Sequence, residues 1–197
     1  LDKNPEQFLD NNLQETLNGF SKNDLNIILC SEPFVKSQFL NELIDSVDYP
    51  VIFLDFDLLY TGYVVSGMIS KNDVVKIYMP ERDNLEKIFS EVIQKISEKK
   101  YLVILDSFNG FYSLFSGIDS WIFVNSLTML AASVARQKGS VIVVSAMARK
   151  KENKFWVLSP GGRHIIRSKK TGIYHLENDK VSLVLRSLSD DGSQVLE

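Results

Sequence analysis

Five apolar runs of five or six residues, spaced by stretches of helical periodicity, constrain this chain more than any single motif. They are Leu25–Cys30, Val51–Phe56, Val74–Tyr78, Tyr101–Leu105 and Val141–Ser145. Runs this short and apolar on both faces predict central strands of a parallel sheet, because parallel neighbours need crossovers and the crossover helices bury both faces. Helices are predicted over Lys36–Val47, Asn84–Lys99 and Ser120–Gln137. In the second, Leu85, Ile88, Phe89, Val92, Ile93 and Ile96 recur at i, i+3, i+4 and i+7, with Glu86, Lys87, Glu91 and Lys95 on the other faces. The rhythm changes after Gly161-Gly162. Ile165–Ile166, Gly172–Leu176 and Val181–Leu185 read as short strands, the last two joined by Glu177-Asn178-Asp179, which predicts an antiparallel extension. The expected fold class is α/β, with a mainly parallel central sheet flanked by helices.

A chain of 197 residues, 45% hydrophobic and 24% charged, has enough apolar mass for one full core, so residues 1–197 are expected to form a single domain. Residues 1–20 read as an amphipathic lead-in helix with Phe8, Leu9, Leu13, Leu17 and Phe20 as its packing stripe; residues 187–197 read as a flexible tail. No apolar run approaches the roughly 20 residues that span a bilayer, so no membrane is expected. The N-terminus carries no signal-peptide pattern, and the expected compartment is cytoplasmic, or nuclear in a eukaryote. Cys30 is the single cysteine and follows Ile27, Ile28 and Leu29, which favours a buried, inert thiol.

A net charge of −3 hides an uneven distribution. Residues 1–100 hold 10 Lys+Arg against 17 Asp+Glu, whereas residues 136–170 hold 10 against the one acid Glu152, so the second segment is a basic island. It contains Arg136, Lys138, Arg149, Lys150, Lys151, Lys154, Arg163, Arg167, Lys169 and Lys170, interleaved with Phe155 and Trp156. Basic side chains beside aromatic rings suit single-stranded nucleic acid, since cations meet phosphates and rings stack on bases. The candidate DNA-binding residues on the basic loop 149–164 and just beyond it are Arg149, Lys150, Lys151, Lys154, Phe155, Trp156, Arg163 and Arg167. The alternative is a solvated loop with two aromatics tucked into the core.

The segment after the first run, Cys30-Ser31-Glu32-Pro33-Phe34-Val35-Lys36-Ser37, has the length and the Lys-Ser ending of a phosphate-binding loop but neither glycine. In G-x-x-x-x-G-K-[ST] the glycines let backbone N–H groups wrap a phosphate while the lysine and hydroxyl reach phosphate and magnesium. Cys30 and Val35 hold the glycine places. A β-branched Val35 suits a left-handed backbone poorly, and its side chain takes space that phosphate needs. The loop is expected to survive as a shape and not as a cradle; the other reading of Lys36 and Ser37 is an ordinary first helical turn, with Pro33 shaping its start.

The order of these parts resembles the RecA-type ATPase core of the RadA/Rad51 recombinase family, over roughly residues 5–190. Besides the loop ending in Lys36-Ser37, Val51-Ile52-Phe53-Leu54-Asp55-Phe56-Asp57 is similar to the family's strand whose terminal aspartate is followed two places later by the catalytic glutamate. Val75-Lys76-Ile77-Tyr78 with its following turn and long helix is similar to the next unit. Val103-Ile104-Leu105-Asp106-Ser107 resembles the Walker B strand, whose aspartate helps hold magnesium. Val141-Ile142-Val143-Val144-Ser145 is similar to the strand before the second DNA-binding loop, and Pro160-Gly161-Gly162 to the Pro-x-Gly-Gly turn after it. The shorter, core-only paralogues, with a degenerate Walker A motif, are the nearer comparison. The resemblance implies a RecA-like P-loop fold, with Lys36, Ser37 and Asp106 as vestigial nucleotide ligands, Ser37 and Asp106 as the magnesium pair if Mg-ATP binds, and Asp57 as the catalytic carboxylate if turnover survives.

Departures from the pattern weigh against turnover. Two cradling glycines are gone, Asp57 is one methylene shorter than the glutamate it replaces, and Ser145-Ala146-Met147-Ala148 stands where the family's sensor amide would be. A missing oriented group costs a hydrolase ~10²-fold or more. No cofactor is therefore expected, Mg-ATP binding only weakly if at all. His164 and His175 have no partner at metal-ligand spacing, and no metal is expected. Trp121, Ile122, Phe123 and Leu127 read as core, favoured by their size, or as an oligomer face. The expected function is a non-catalytic accessory in DNA recombination or repair, binding single-stranded DNA or a recombinase partner, or acting as a homo- or hetero-oligomer. The alternatives are a weak KaiC/RadA-type ATPase and a scaffold resembling the Elongator pseudo-ATPase subunits.

Overall fold

The computed structural model describes residues 15–117, 119–150, 156–159, 164–178 and 183–188, with Lys150 and Trp156 described by backbone only. Eight strands and five helices alternate through these residues. In chain order they are β1 (Leu25–Cys30), α1 (Pro33–Asp45), β2 (Val51–Asp55), α2 (Leu59–Val65), β3 (Val75–Tyr78), α3 (Leu85–Glu98), β4 (Leu102–Asp106), α4 (Phe108–Ser113), α5 (Ser120–Gln137), β5 (Val141–Lys150), β6 (Trp156–Leu158), β7 (Thr171–Asn178) and β8 (Leu183–Ser187). Residues 15–20 are helical. The sheet order is β3-β2-β4-β5-β1-β7-β8, with β6 paired to β5 alone. Every pair from β3 through β7 is parallel; β7–β8 and β5–β6 are antiparallel.

The period of two sorts each central strand between two cores. Leu25, Ile27, Leu29, Ile52, Leu54, Val103, Leu105, Ile142 and Val144 join one cluster with Leu85, Phe89, Val92 and Ile96 of α3. Ile28, Cys30, Val51, Phe53, Leu102, Ile104, Val141 and Val143 join the other with Phe39, Leu40, Leu43 and Ile44 of α1 and with Leu17 and Phe20 of the lead-in. Such a strand is buried on both faces, which is why these runs lack polar residues. Cys30 is a buried free thiol, and burial pushes its pKa up.

Several expectations are corrected. Strand β3 is an edge and not a central strand: Val75, Lys76 and Ile77 are partly or fully exposed, and Val74 lies outside it. Its Lys76 instead reaches Glu91 of α3 at 2.7 Å. Helix α1 begins three residues before Lys36, at Pro33, whose fixed φ favours the first helical position. Ile165–Ile166 forms no strand, although Ile165 is buried. The extension is antiparallel only at β8, since β7 adds to β1 in parallel register, Leu25 opposite Thr171 through Cys30 opposite Leu176. Helix α5 turns its small and polar side inward, burying Ser120, Val124, Asn125, Thr128, Ala131, Ala132 and Ala135. Trp121, Ile122 and Phe123 therefore leave the core and stand 37%, 46% and 46% exposed, while Leu127 packs partly against it.

Candidate functional site

The site lies at the carboxyl edge of the parallel strands, where open α/β sheets carry their chemistry. Register places Asp55 of β2 opposite Asp106 of β4, and Leu105 opposite Val144, which sets Ser145 of β5 beside Asp106. The Ser145 hydroxyl donates a short hydrogen bond to Asp106 Oδ1. From α1, Lys36 inserts its Nζ among these carboxylates, 2.5 Å from Asp106 Oδ1 and 3.5 Å from Asp57 Oδ2. Lys36 and Asp106 are fully buried. Burial works against the Lys36 ammonium, but Asp106 and then Asp57 outweigh it and hold its pKa above the usual lysine value. Burial likewise raises the Asp106 carboxyl, against the pull of Lys36 and Ser145. At this separation the two side chains form a charge-assisted ammonium–carboxylate bond.

Two neighbours shape the bridge. Asp55 Oδ2 accepts from the Thr61 N–H at 2.8 Å, holding the start of α2, whose preceding residue Leu58 sits in the left-handed region at φ 59° with its side chain exposed. Helix α4 passes against the Asp57 loop so closely that a Cβ on Gly110 would stand 2.0 Å from Asp57 Oδ1. The serine that follows Asp106 caps this helix, its Oγ accepting from the Gly110 N–H at 3.2 Å.

The residues present do not fit a triphosphate. Only Ser31 and Glu32 separate β1 from α1, and the Lys36 N–H is spent on Glu32 O at 3.0 Å inside the helix. Pro33 has no N–H to offer, Val35 is buried, and the lysine that would meet phosphate is committed to two carboxylates. Ser37 Oγ and Asp106 Oδ2, the atoms a magnesium ion would need, are buried without hydrogen-bond partners, beside Asp55 Oδ1 and Thr61 Oγ1. Among the described residues no group of three His, Cys, Asp or Glu could hold a metal. His175 is buried on β7, its Nδ1 3.0 Å from Glu177 Oε1, and His164 is exposed.

The basic island does not form one surface. Arg136 pairs with Asp24 at 3.3 Å, and the carbonyl of Lys170 accepts from the Asp24 N–H at 2.9 Å, so this group belongs to the amino edge of the sheet. Arg149 lies at the far end of β5, which runs five residues beyond the predicted Ser145 and pairs through Arg149–Val157 with β6. Arg149 and Arg167 are both exposed. Of the other candidates, Lys150 and Trp156 lie on β5 and β6, while Lys151, Lys154, Phe155 and Arg163 fall outside the described residues.

Two asparagines that sequence reasoning passed over hold this region. Asn109 of α4 accepts from the Met147 N–H at 2.7 Å and donates to Met147 O at 3.2 Å and Ser159 O at 2.7 Å. Asn125 of α5 donates to His164 O at 2.9 Å and accepts from the Ile166 N–H at 2.7 Å. The only trace of either in the sequence is an asparagine within a helical stretch, where its propensity is poor.

Comparison with known proteins adds the fold. No family model and no curated protein matches the chain. Among solved structures, the ATPase domain of a DnaB-like protein superposes with a TM-score of 0.53 at 11% identity, covering 91% of this chain and 85% of that one. Along with the strand order, that similarity makes this chain a RecA-like α/β P-loop fold, with a mainly parallel sheet between helices and an antiparallel β7–β8 extension.

Proposed function

We propose that this protein is a non-catalytic RecA/RadA-like paralogue, an accessory in DNA recombination or repair that binds single-stranded DNA, a recombinase partner, or both. The observation that carries the reading is the buried Lys36–Asp106 bridge, which puts an internal cation where a phosphate-binding loop would hold its ligand. Phosphoryl transfer depends on a free cation and backbone donors around the transferred group. Here the cation is neutralised from within, and the helix has grown back through the loop. The DNA reading draws on Arg149 and Arg167, exposed on the segment that also carries Lys150, Lys151, Lys154 and Arg163 by sequence. Phosphate neutralisation by such side chains needs no base contact and supplies sequence-independent affinity.

Titration with a fluorescent adenine nucleotide and magnesium, a phosphate-release assay, and binding to a fluorescent oligothymidylate at several salt concentrations test the reading together. The expected result is no saturable nucleotide binding, no phosphate release, and oligothymidylate binding that weakens steeply with salt. Turnover that disappears in Lys36→Ala would favour the KaiC/RadA-type ATPase instead. A second reading, a scaffold resembling the Elongator pseudo-ATPase subunits, draws on the exposed apolar side of α5 at Trp121, Ile122 and Phe123; preference for transfer RNA over oligothymidylate would favour it.

A further inference from the structure

We propose that Asn109 and Asn125 are positioning residues that pin the basic segment between residues 147 and 166 for nucleic-acid binding, an assignment that rests on the DNA-binding reading above. The backbone of Met147, Ser159, His164 and Ile166 is tied to two helices by these two side chains. Asn109 engages both the N–H and the C=O of Met147, as a neighbouring strand would, and adds Ser159 O, the first residue after β6. Ser159 N–H closes the same knot on Met147 O at 2.9 Å. Asn125 does the equivalent at the other end, on His164 O and Ile166 N–H. Both asparagines are shielded, 7% and 1% exposed, so their bonds compete little with water.

The choice of residue is informative. Asparagine is a poor helix former, and a side chain that offers a donor and an acceptor a few ångströms apart is what a strand-like tie to one backbone residue needs. Neither tie lies in the sheet core, where packing alone would hold the chain. Both bracket the stretch that carries Arg149, Lys150, Lys151, Lys154 and Arg163. Fixing the ends of a loop before its ligand arrives removes part of the ordering cost that binding otherwise meets. The ties also connect to the charge bridge. Asn109 lies three residues after Asp106, and Ser145, bonded to Asp106, lies two residues before Met147. The end of β4 and its following helix thus set the course of β5 where it leaves the sheet.

The test compares Asn109→Ala, Asn125→Ala and Arg149→Ala in the full chain, by oligothymidylate titration across salt concentration and by hydrogen exchange resolved to peptides. The asparagine variants should bind about 10-fold more weakly, the loss of one or two net hydrogen bonds' worth of preorganisation. Their log–log salt slope should stay at the wild-type value, because the phosphate contacts are unchanged in number; Arg149→Ala should lower it by about one. Exchange should accelerate in peptides covering 147–166 and stay slow in β2 and β4. Asn109→Asp keeps the acceptor for Met147 N–H and loses both donated bonds, so it should show the same pattern should Asn109→Ala not fold. Wild-type affinity in the asparagine variants, with Arg149→Ala impaired, overturns the assignment and leaves the DNA-binding reading standing. Absence of oligothymidylate binding by the wild type overturns both.

Discussion

Lys36 is the residue on which the chemistry turns. A lysine with no exposed side-chain surface is tolerable only with a carboxylate in contact, and here two supply it. Removing one partner of a buried pair leaves the other charged and uncompensated, whereas removing both can be neutral or stabilising. Lys36→Ala should therefore lower stability by about 3–5 kcal/mol. Lys36→Met combined with Asp106→Leu should recover most of that loss, both read from urea unfolding. The pH dependence has a definite sign. Because the folded-state pKa of Lys36 lies above its ordinary 10.5, the contribution is complete below that value and is lost as pH rises through the raised one. Between neutral pH and that alkaline limb, wild type should lose stability relative to the double variant. Equal slopes for the two would mean that the bridge is not ionised.

At the scale of elements, the short helix α4 shows how close contact can reverse an intrinsic preference. Gly110→Ala on an exposed helix would be expected to stabilise by about 1 kcal/mol. Here the added methyl would meet Asp57 Oδ1 at 2.0 Å and the Phe56 carbonyl carbon at 3.0 Å, and the second neighbour is backbone that cannot rotate away. Overpacking of this kind costs about 1–3 kcal/mol and should win. Gly110→Ala should lower the urea midpoint; an unchanged or higher midpoint would show that α4 has room to move. Helix α5 carries a related lesson. Its sequence pattern is apolar on nearly every side, and which side faces the sheet is decided by fit: three alanines, Ala131, Ala132 and Ala135, allow close approach, and the bulkier Trp121, Ile122 and Phe123 are left outside.

For the whole molecule, sheet order predicts where stability is concentrated. β1 is flanked by β5 and β7 and has six fully buried residues, and β4 is flanked by β2 and β5. β3 and β8 are edges with partly exposed residues. Native-state hydrogen exchange should be slowest in β1 and β4, at the global unfolding limit, and markedly faster in β3 and β8. Protection in β8 equal to that in β1 would contradict this ranking.

The α/β class, the five parallel strands to within a residue or two at their starts, and the packing face of α3 were legible in the residues themselves. Burial on both faces demands unbroken apolar runs, and a 3.6-residue repeat demands a helix, so local composition carries those features directly. The sequence also flagged Lys36, Asp57 and Asp106 as a set and the missing glycines between Cys30 and Lys36. It did not reveal that Lys36 closes onto both aspartates, that α1 starts at Pro33, that the basic island divides between opposite edges of the sheet, or that Asn109 and Asn125 tie down its far part. Each of these depends on residues distant in the chain brought together by strand order and register. Local sequence carries propensity and periodicity, but which charge meets which across a folded sheet is settled only when the tertiary structure closes.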